Sequence, residues 1–319
     1  MKRRDFVFKG LAATSAAVTL GSNALAAKST EVSKEQALEI VAAKRKFKLN
    51  YAPHFGMFKN LVGDDPIKQL QFMADQGFTA LEDNGMMGRP IEMQEKIGKE
   101  LTRLGMTMGV FVVDKGGNGA NTLAAGKKEY IDIFLNGCRK AVEVSKRVNA
   151  KWITVVPGDF ERNLPIGVQT GNVIEALRWG AEILEPHGIT MVLEPLSDSP
   201  NLFLRTSDQT YMICKGVNSP SCKILFDIYH MQKNEGRVIY NMDQTWDEIA
   251  YIQIGDEPGR KEPGTGEINY QNVFKHIYDK GYKGVMGMEH GNAMPDKKGD
   301  QAVIDAYVQA DSFNPGTKG

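Results

Sequence analysis

The chain is poor in cysteine, balanced in charge and without a long apolar run, and each shortage removes a class of protein. Cys138, Cys214 and Cys222 are its only thiols, too few for a disulfide framework. Cys214 and Cys222 flank a short Gly/Asn/Ser/Pro loop, and their Cα separation, which sequence does not give, decides whether they pair. The 39 basic and 39 acidic residues cancel. The first 27 residues hold Lys2, Arg3, Arg4 and Lys9 against Asp5, a charge of +3, so the remainder carries −3. A slightly acidic body speaks against nucleic-acid binding, which favours a basic face. Leu11 to Leu20 is weakly apolar but too short, and too rich in Ala and Thr, for stable membrane insertion. No Gly-x-Gly-x-x-Gly follows the first apolar run, which weakens a dinucleotide-binding sheet. Histidine is scarce as well, five in 319 residues.

What is present begins with a targeting pattern over residues 1–26. A basic start, Lys2-Arg-Arg-Asp-Phe-Val-Phe-Lys9, precedes the weakly apolar stretch, and Ala24-Leu-Ala26 is a small-residue cleavage site. That is a signal peptide. Arg3-Arg4-x-Phe6 resembles a twin-arginine export signal, with Phe8 where such signals often carry lysine. The resemblance implies export of a folded protein by the Tat machinery to the periplasm or beyond. An ordinary secretory signal is the alternative. Residues 27–46 are polar and read as a lead-in helix or tether.

From residue 47 to 312 short apolar runs alternate with helical patterns. Strand candidates are Phe47–Ala52, Phe78–Glu82, Met106–Val113, Trp152–Val156, Ile189–Glu194, Ile224–Asp227, Ile249–Ile254 and Gly284–Glu289. Helices between them carry their own punctuation. Asp64 or Asp65 caps Pro66–Gln76, Pro90 opens a helix that Gly105 stops, Thr206-Ser-Asp208 opens another, and Asn269 caps Tyr270–Lys280. Near-continuous apolar strands are buried on both faces, as in parallel sheets. Eight strand–helix units in one domain point to a (β/α)8 TIM barrel. An open doubly wound sheet is the alternative.

Catalytic groups of such barrels collect where strands end. Glu194, Asp227, Gln253 and Glu289 lie at or near the ends of strands five to eight. They are spaced by 33, 26 and 36 residues, about one strand–helix unit each. Three carboxylates that close cannot all stay ionised without a cation. Ligation by oxygen alone favours Mg²⁺ or Mn²⁺ over Zn²⁺. Salt bridges at each strand end are the bland alternative.

The runs Val192-Leu-Glu-Pro-Leu196, Leu225-Phe-Asp-Ile-Tyr-His-Met-Gln232, Ile252-Gln-Ile-Gly-Asp256 and Pro258-Gly-Arg-Lys-Glu-Pro-Gly-Thr-Gly-Glu-Ile-Asn-Tyr270 carry a family likeness. Together they resemble the hydroxypyruvate isomerase branch of the xylose-isomerase-like barrels. The resemblance implies that Glu194, Asp227, Gln253 and Glu289 hold a divalent metal. It also implies that Glu194 and Glu289 flank a small sugar or keto-acid as acid and base. Glutamine at 253 favours this branch over the ketose 3-epimerases, which usually have histidine there. The chemistry expected is proton transfer through a cis-enediolate, giving isomerisation or epimerisation.

His230, Arg260 and Glu82 are candidate substrate contacts, with Glu82 reaching either substrate or His230. A backbone-bonded histidine, a solvated arginine and a salt-bridged glutamate are the plain alternatives. Glu262 and Glu267 share the Gly264-Thr-Gly266 loop, either as a close approach to the pocket or as a simple turn. His54 is placed near the pocket wall, His187 at the opposite face, His276 on a helix, and His290 pointing away from the site by strand alternation. Other readings stay open: an exported keto-sugar hydratase or lyase using the same site, or a periplasmic sugar-binding protein. An endonuclease relative needs several more histidine ligands than the chain has. Self-association is possible.

Overall fold

The computed structural model describes residues 46–316, so the signal-like segment 1–26 and nearly all of the lead-in segment 27–46 lie outside the described residues. Eight parallel strands form the body: β1 (Asn50–Ala52), β2 (Ala80–Leu81), β3 (Thr107–Met108), β4 (Trp152–Val155), β5 (Thr190–Leu193), β6 (Cys222–Asp227), β7 (Ile249–Gln253) and β8 (Val285–Gly287). Pairing runs β1-β8-β7-β6-β5-β4 in one sheet and β2-β3 in another. Two parallel bridges join the sheets into a ring, His54 with Glu82 and Val112 with Thr154. This is the expected single-domain (β/α)8 barrel. Strand three is shorter than its apolar run: it pairs with β2 at Thr107 and Met108, and beyond it Val112 bridges to Thr154 on β4.

Ten α-helices connect and flank the strands among the described residues: α1 (Lys59–Val62), α2 (Pro66–Asp75), α3 (Ile91–Leu104), α4 (Lys128–Val148), α5 (Ile166–Leu184), α6 (Ser207–Val217), α7 (Ile228–Asn234), α8 (Val238–Thr245), α9 (Tyr270–Asp279) and α10 (Asp296–Ala310). Asp65 caps α2 by accepting from Ile67 and Lys68 N–H, and Asn269 caps α9 through Asn272 N–H. The cap of α6 differs from the sequence reading. Thr206 makes no capping bond; its hydroxyl is turned to Asp208. Glu235, distant in sequence, accepts from Ser207 N–H at 2.8 Å instead. A side chain delivered by the fold replaces the local one, which no sequence window around residue 206 contains.

The interior of the barrel is layered. One residue from or beside every strand packs across the lumen: Ala52, Ala80, Val110, Trp152, Val192, Leu225, Tyr251 and Val285. Strand side chains alternate between faces. Two residues further on, the inward positions are therefore His54, Glu82, Val112, Thr154, Glu194, Asp227, Gln253 and Gly287. An apolar floor thus carries a polar layer on the C-terminal side. The larger core cluster fills the space between strands and helices, with Phe58, Phe78, Phe134, Phe226 and Phe274 fully buried.

All three thiols are buried and free. Cys214 and Cys222 lie side by side, and their mutual hydrogen bond together with burial raises the Cys214 thiol above its ordinary pKa.

Asp300 on α10 is fully buried and ties three segments together. It accepts from Asn60 N–H at 2.9 Å, Asn60 Nδ2 at 3.0 Å, Leu61 N–H at 3.1 Å and Asn292 Nδ2 at 3.0 Å. Removing the acceptor strands four donors. Asp300→Ala is expected to lower unfolding stability by roughly 3 kcal/mol, read as a shift of the urea midpoint at unchanged slope.

Candidate functional site

Asp227 ends β6 and starts α7, and its two oxygens serve different ends. Oδ1 caps the helix, accepting from Tyr229 N–H at 2.8 Å and His230 N–H at 3.3 Å. Oδ2 faces Arg260 Nη2 at 3.1 Å and His230 Nε2 at 3.6 Å. Capping holds the carboxylate in one rotamer, so the second oxygen is aimed by the helix start. Glu194 is the first residue past β5, and its buried Oε1 has no hydrogen-bond partner. Gln253 ends β7. Its Nε2 donates to Glu82 Oε1 at 3.0 Å, and its buried Oε1 is left unpartnered. Glu289 stands one step above the polar layer and is a quarter exposed. Its Oε1 accepts from Asn84 Nδ2 at 2.7 Å and its Oε2 from Arg260 Nη2 at 2.7 Å.

His230 is fully buried. Ser197 N–H donates to its Nδ1 at 3.2 Å, and Ser197 Oγ lies 2.7 Å from the same atom. A nitrogen that accepts a backbone N–H carries no proton, so the neutral ring holds its proton on Nε2. That atom lies 3.8 Å from Glu194 Oε1 and makes no hydrogen bond. Burial lowers the pKa of His230 and favours the neutral ring. Glu194, Asp227 and His230 present ligand-type atoms within 4.8 Å of one another.

Arg260 is brought in by the loop after β7. Asp256 is buried and organises that loop, accepting from Gly264, Gly266 and Ile268 N–H through its two oxygens. Arg260 itself takes a left-handed φ of 49°, fixed by its N–H to Asp256 O at 2.8 Å. The glycine amides of this loop are therefore spent on Asp256. Glu262 accepts from Ala293 N–H and Glu267 from Gln232 Nε2. The loop is a turn held from inside, with Arg260 at its inner edge.

Glu82 bonds Gln253 and Tyr251 rather than His230. Its Oε1 takes Gln253 Nε2 and its Oε2 takes Tyr251 Oη at 2.9 Å, and Ser197 rather than Glu82 meets Nδ1 of His230. Ser197 directly follows the Val192–Leu196 run, which is the signal that could have found it, whereas Asn84 lies in the segment after β2 with no motif around it. His54 places Nδ1 2.8 Å from Phe55 O and Nε2 3.0 Å from His290 O, and whichever ring nitrogen carries the proton donates to its carbonyl. His290 turns to Tyr307 Oη at 2.9 Å, away from the carboxylates.

Charge crowding is severe. Burial, then the Glu289 and Asp227 charges, raises Glu194 well above the carboxylate range. Burial and then the Glu289 charge do the same to Glu82. Burial pushes Glu289 up to about 8, with Arg260 opposing and Asp227 adding to the rise. Two like charges within 4.8 Å repel by about 3–4 kcal/mol at an effective dielectric near 20. Among the described residues, Arg260 is the one arginine or lysine paired with this group, through Asp227 and Glu289. A cavity of about 390 Å³, lined in part by Asn84, Met87, Val112, Asn118 and Val156, adjoins the cluster through the Asn84–Glu289 bond. A larger groove of about 500 Å³ lies between the Pro263 loop and α10 and contains none of these carboxylates.

The family model described as xylose isomerase-like TIM barrel matches residues 70–307. Hydroxypyruvate isomerase of Escherichia coli K12 is 34% identical over 159 residues, covering 49% of this chain and 62% of that protein. A 2-oxo-tetronate isomerase of Cupriavidus necator is 36% identical over 119 residues, covering 37% of this chain and 46% of that protein. The chain thus spans about half to three-fifths of the length of these relatives. Among solved structures, an AP endonuclease, family 2, from Brucella melitensis superposes with a TM-score of 0.69 at 23% identity, covering 79% of this chain and 96% of the other. The IOLI protein with a binding zinc atom superposes with a TM-score of 0.66 at 16% identity, covering 82% and 98%. These two likenesses concern the fold.

The raised carboxyls have a consequence for stability. A carboxyl whose pKa is higher folded than unfolded binds its proton more tightly in the folded state. Its contribution is present at low pH and is lost as pH rises through the folded value. Metal-free protein should therefore lose stability between about pH 4.5 and 8. Denaturant midpoints measured in chelator across that range test this, and Glu289→Gln should flatten the upper part of the fall.

Proposed function

The chain belongs to the xylose isomerase-like TIM-barrel family, and we propose that it is a divalent-metal-dependent isomerase or epimerase of a small sugar or keto-acid. The observation that carries this reading is a set of buried oxygens without partners. Glu194 Oε1 and Gln253 Oε1 are both orphaned, on strand ends that also supply Asp227 and Glu289. Leaving a buried polar atom unpaired costs about 1–3 kcal/mol, and a bound cation removes that cost together with the carboxylate repulsion. Glu194, Asp227, Gln253 and Glu289 would hold it. His230 belongs beside this set rather than in it, because its Nε2 carries the proton that a ligating nitrogen must lack. An all-oxygen set suits Mg²⁺ or Mn²⁺. When bound, such an ion polarises a carbonyl and acidifies the neighbouring C–H.

The protein groups supply the rest. Glu194 and Glu289 come from β5 and from beyond β8, so two carboxylates approach the site from different parts of the barrel mouth. One removes a proton from carbon. Return to the adjacent carbon, with the hydroxyl proton passing to the former carbonyl oxygen, isomerises the substrate, and return to the same carbon from the other face epimerises it. His230 Nε2–H donates to a substrate oxygen. Arg260 holds Asp227 and Glu289 apart from one another's charge and offers its guanidinium at the mouth. The identity with hydroxypyruvate and 2-oxo-tetronate isomerases supports the isomerase side of the reading.

We also propose export, on the strength of the Arg3-Arg4 start and the Ala24-Leu-Ala26 site. A mature chain beginning at Ala27, read by mass spectrometry of the periplasmic fraction, is the expected result. Uncleaved protein confined to the cytoplasm would sink the idea.

The catalytic reading is tested by solvent deuterium. Mn²⁺-loaded protein should place deuterium into at least one of a panel of aldoses, ketoses and keto-acids. Glu289→Gln should slow that exchange at least about 100-fold while unfolding stays cooperative. Loaded protein that binds a sugar yet exchanges nothing would hand the site to a binding function.

A further inference from the structure

We infer that Glu82 is a positioning residue that holds Gln253 with its carbonyl oxygen free for the metal. This rests on the metal reading above and assigns Glu82 a part in it that substrate contact does not describe.

Gln253 has two chemically different ends, one donor and one acceptor, and nothing in its own strand chooses between them. The choice is made below and beside it. Glu82 Oε1 faces the Gln253 amide at 3.0 Å. A carboxylate only accepts, so the Nε2 end must turn to it, and Oε1 is left without a protein partner. Glu82 is itself locked. It is buried to 1% exposure, and Tyr251 Oη donates to its other oxygen at 2.9 Å. Tyr251 and Gln253 are two apart on β7 and so share its inward face. One carboxylate thus clamps both.

Two glycines open the space that this arrangement fills. A Cβ at Gly287 on β8 would stand 1.8 Å from Glu82 Oε2 and 3.1 Å from Gln253 Cγ. A Cβ at Gly109, just past β3, would stand 2.3 Å from Tyr251 Oη. Neither glycine has a positive φ, so close approach rather than backbone conformation explains them. The polar layer therefore lacks a side chain at its β8 position because Glu82 occupies that volume. Partners that orient metal ligands typically change metal affinity by about 10–100-fold when removed.

The test measures Mn²⁺ affinity by equilibrium dialysis, with thermal unfolding of the metal-free proteins alongside. Glu82→Met keeps the bulk and removes the acceptor, and affinity should fall about 10–100-fold. Tyr251→Phe takes a hydrogen bond from the same buried carboxylate but leaves the clamp on Gln253. It should destabilise the protein yet hold affinity within about threefold of wild type, below the roughly 10–100-fold loss that removing an orienting partner causes. The double variant Glu82→Met/Tyr251→Phe strands no hydroxyl, so it should recover folding stability without recovering affinity. Wild-type affinity in Glu82→Met overturns the inference. An equal loss in Tyr251→Phe overturns it too, since the effect would then belong to packing. A wild-type protein that binds no Mn²⁺ overturns the metal reading itself, and the inference with it.

Discussion

Four carboxylates converge at the top of an apolar tube, and one arginine answers them. Glu82, Glu194 and Asp227 are buried to 5% exposure or less, and Glu289 stands just above them. Each would be cheap alone at a surface and is costly here, because burial and mutual repulsion act together. Much of the surrounding structure reads as management of that cost. The floor of Val192, Leu225, Tyr251 and Val285 sets the height at which the acids emerge. Gly287 makes room for one of them. Asp256 builds the loop that brings Arg260 to two others.

The same residues do structural and chemical duty through different atoms. Asp227 spends Oδ1 on the start of α7 and keeps Oδ2 for the site. Gln253 spends its amide nitrogen on Glu82 and keeps its oxygen. His230 accepts at Nδ1 from Ser197 and keeps its Nε2 proton for the pocket. In each case a fixed hydrogen bond on one atom determines what the other atom is able to offer. This is preorganisation at the level of single side chains, and it is inexpensive because a helix start, a loop and a buried carboxylate already exist for folding reasons.

Much of this was legible along the chain. Eight apolar runs, each about one strand–helix unit apart, give the barrel, since only a sheet covered on both faces tolerates such runs. Glu194, Asp227, Gln253 and Glu289 could be placed at strand ends by spacing alone. The alternation inside each run was hidden, because the outward positions are as apolar as the inward ones. Val192 and Leu193 look alike in sequence, yet one packs in the lumen and the other toward the helices. The cap at α6 and the partner of His230 were not legible, because Glu235 and Ser197 reach them from about 30 residues away.

The sequence by itself determined the fold class, the order of elements and which polar groups ride on strand ends, for these follow from local periodicity and punctuation. The tertiary structure decided which atom of each group faces the centre. Only ring closure brings β2 beside β1 and across from β7, and only then does Glu82 meet Gln253 rather than His230. Orientation of a side chain depends on partners that are remote in sequence and adjacent in space, and local pattern carries no record of them.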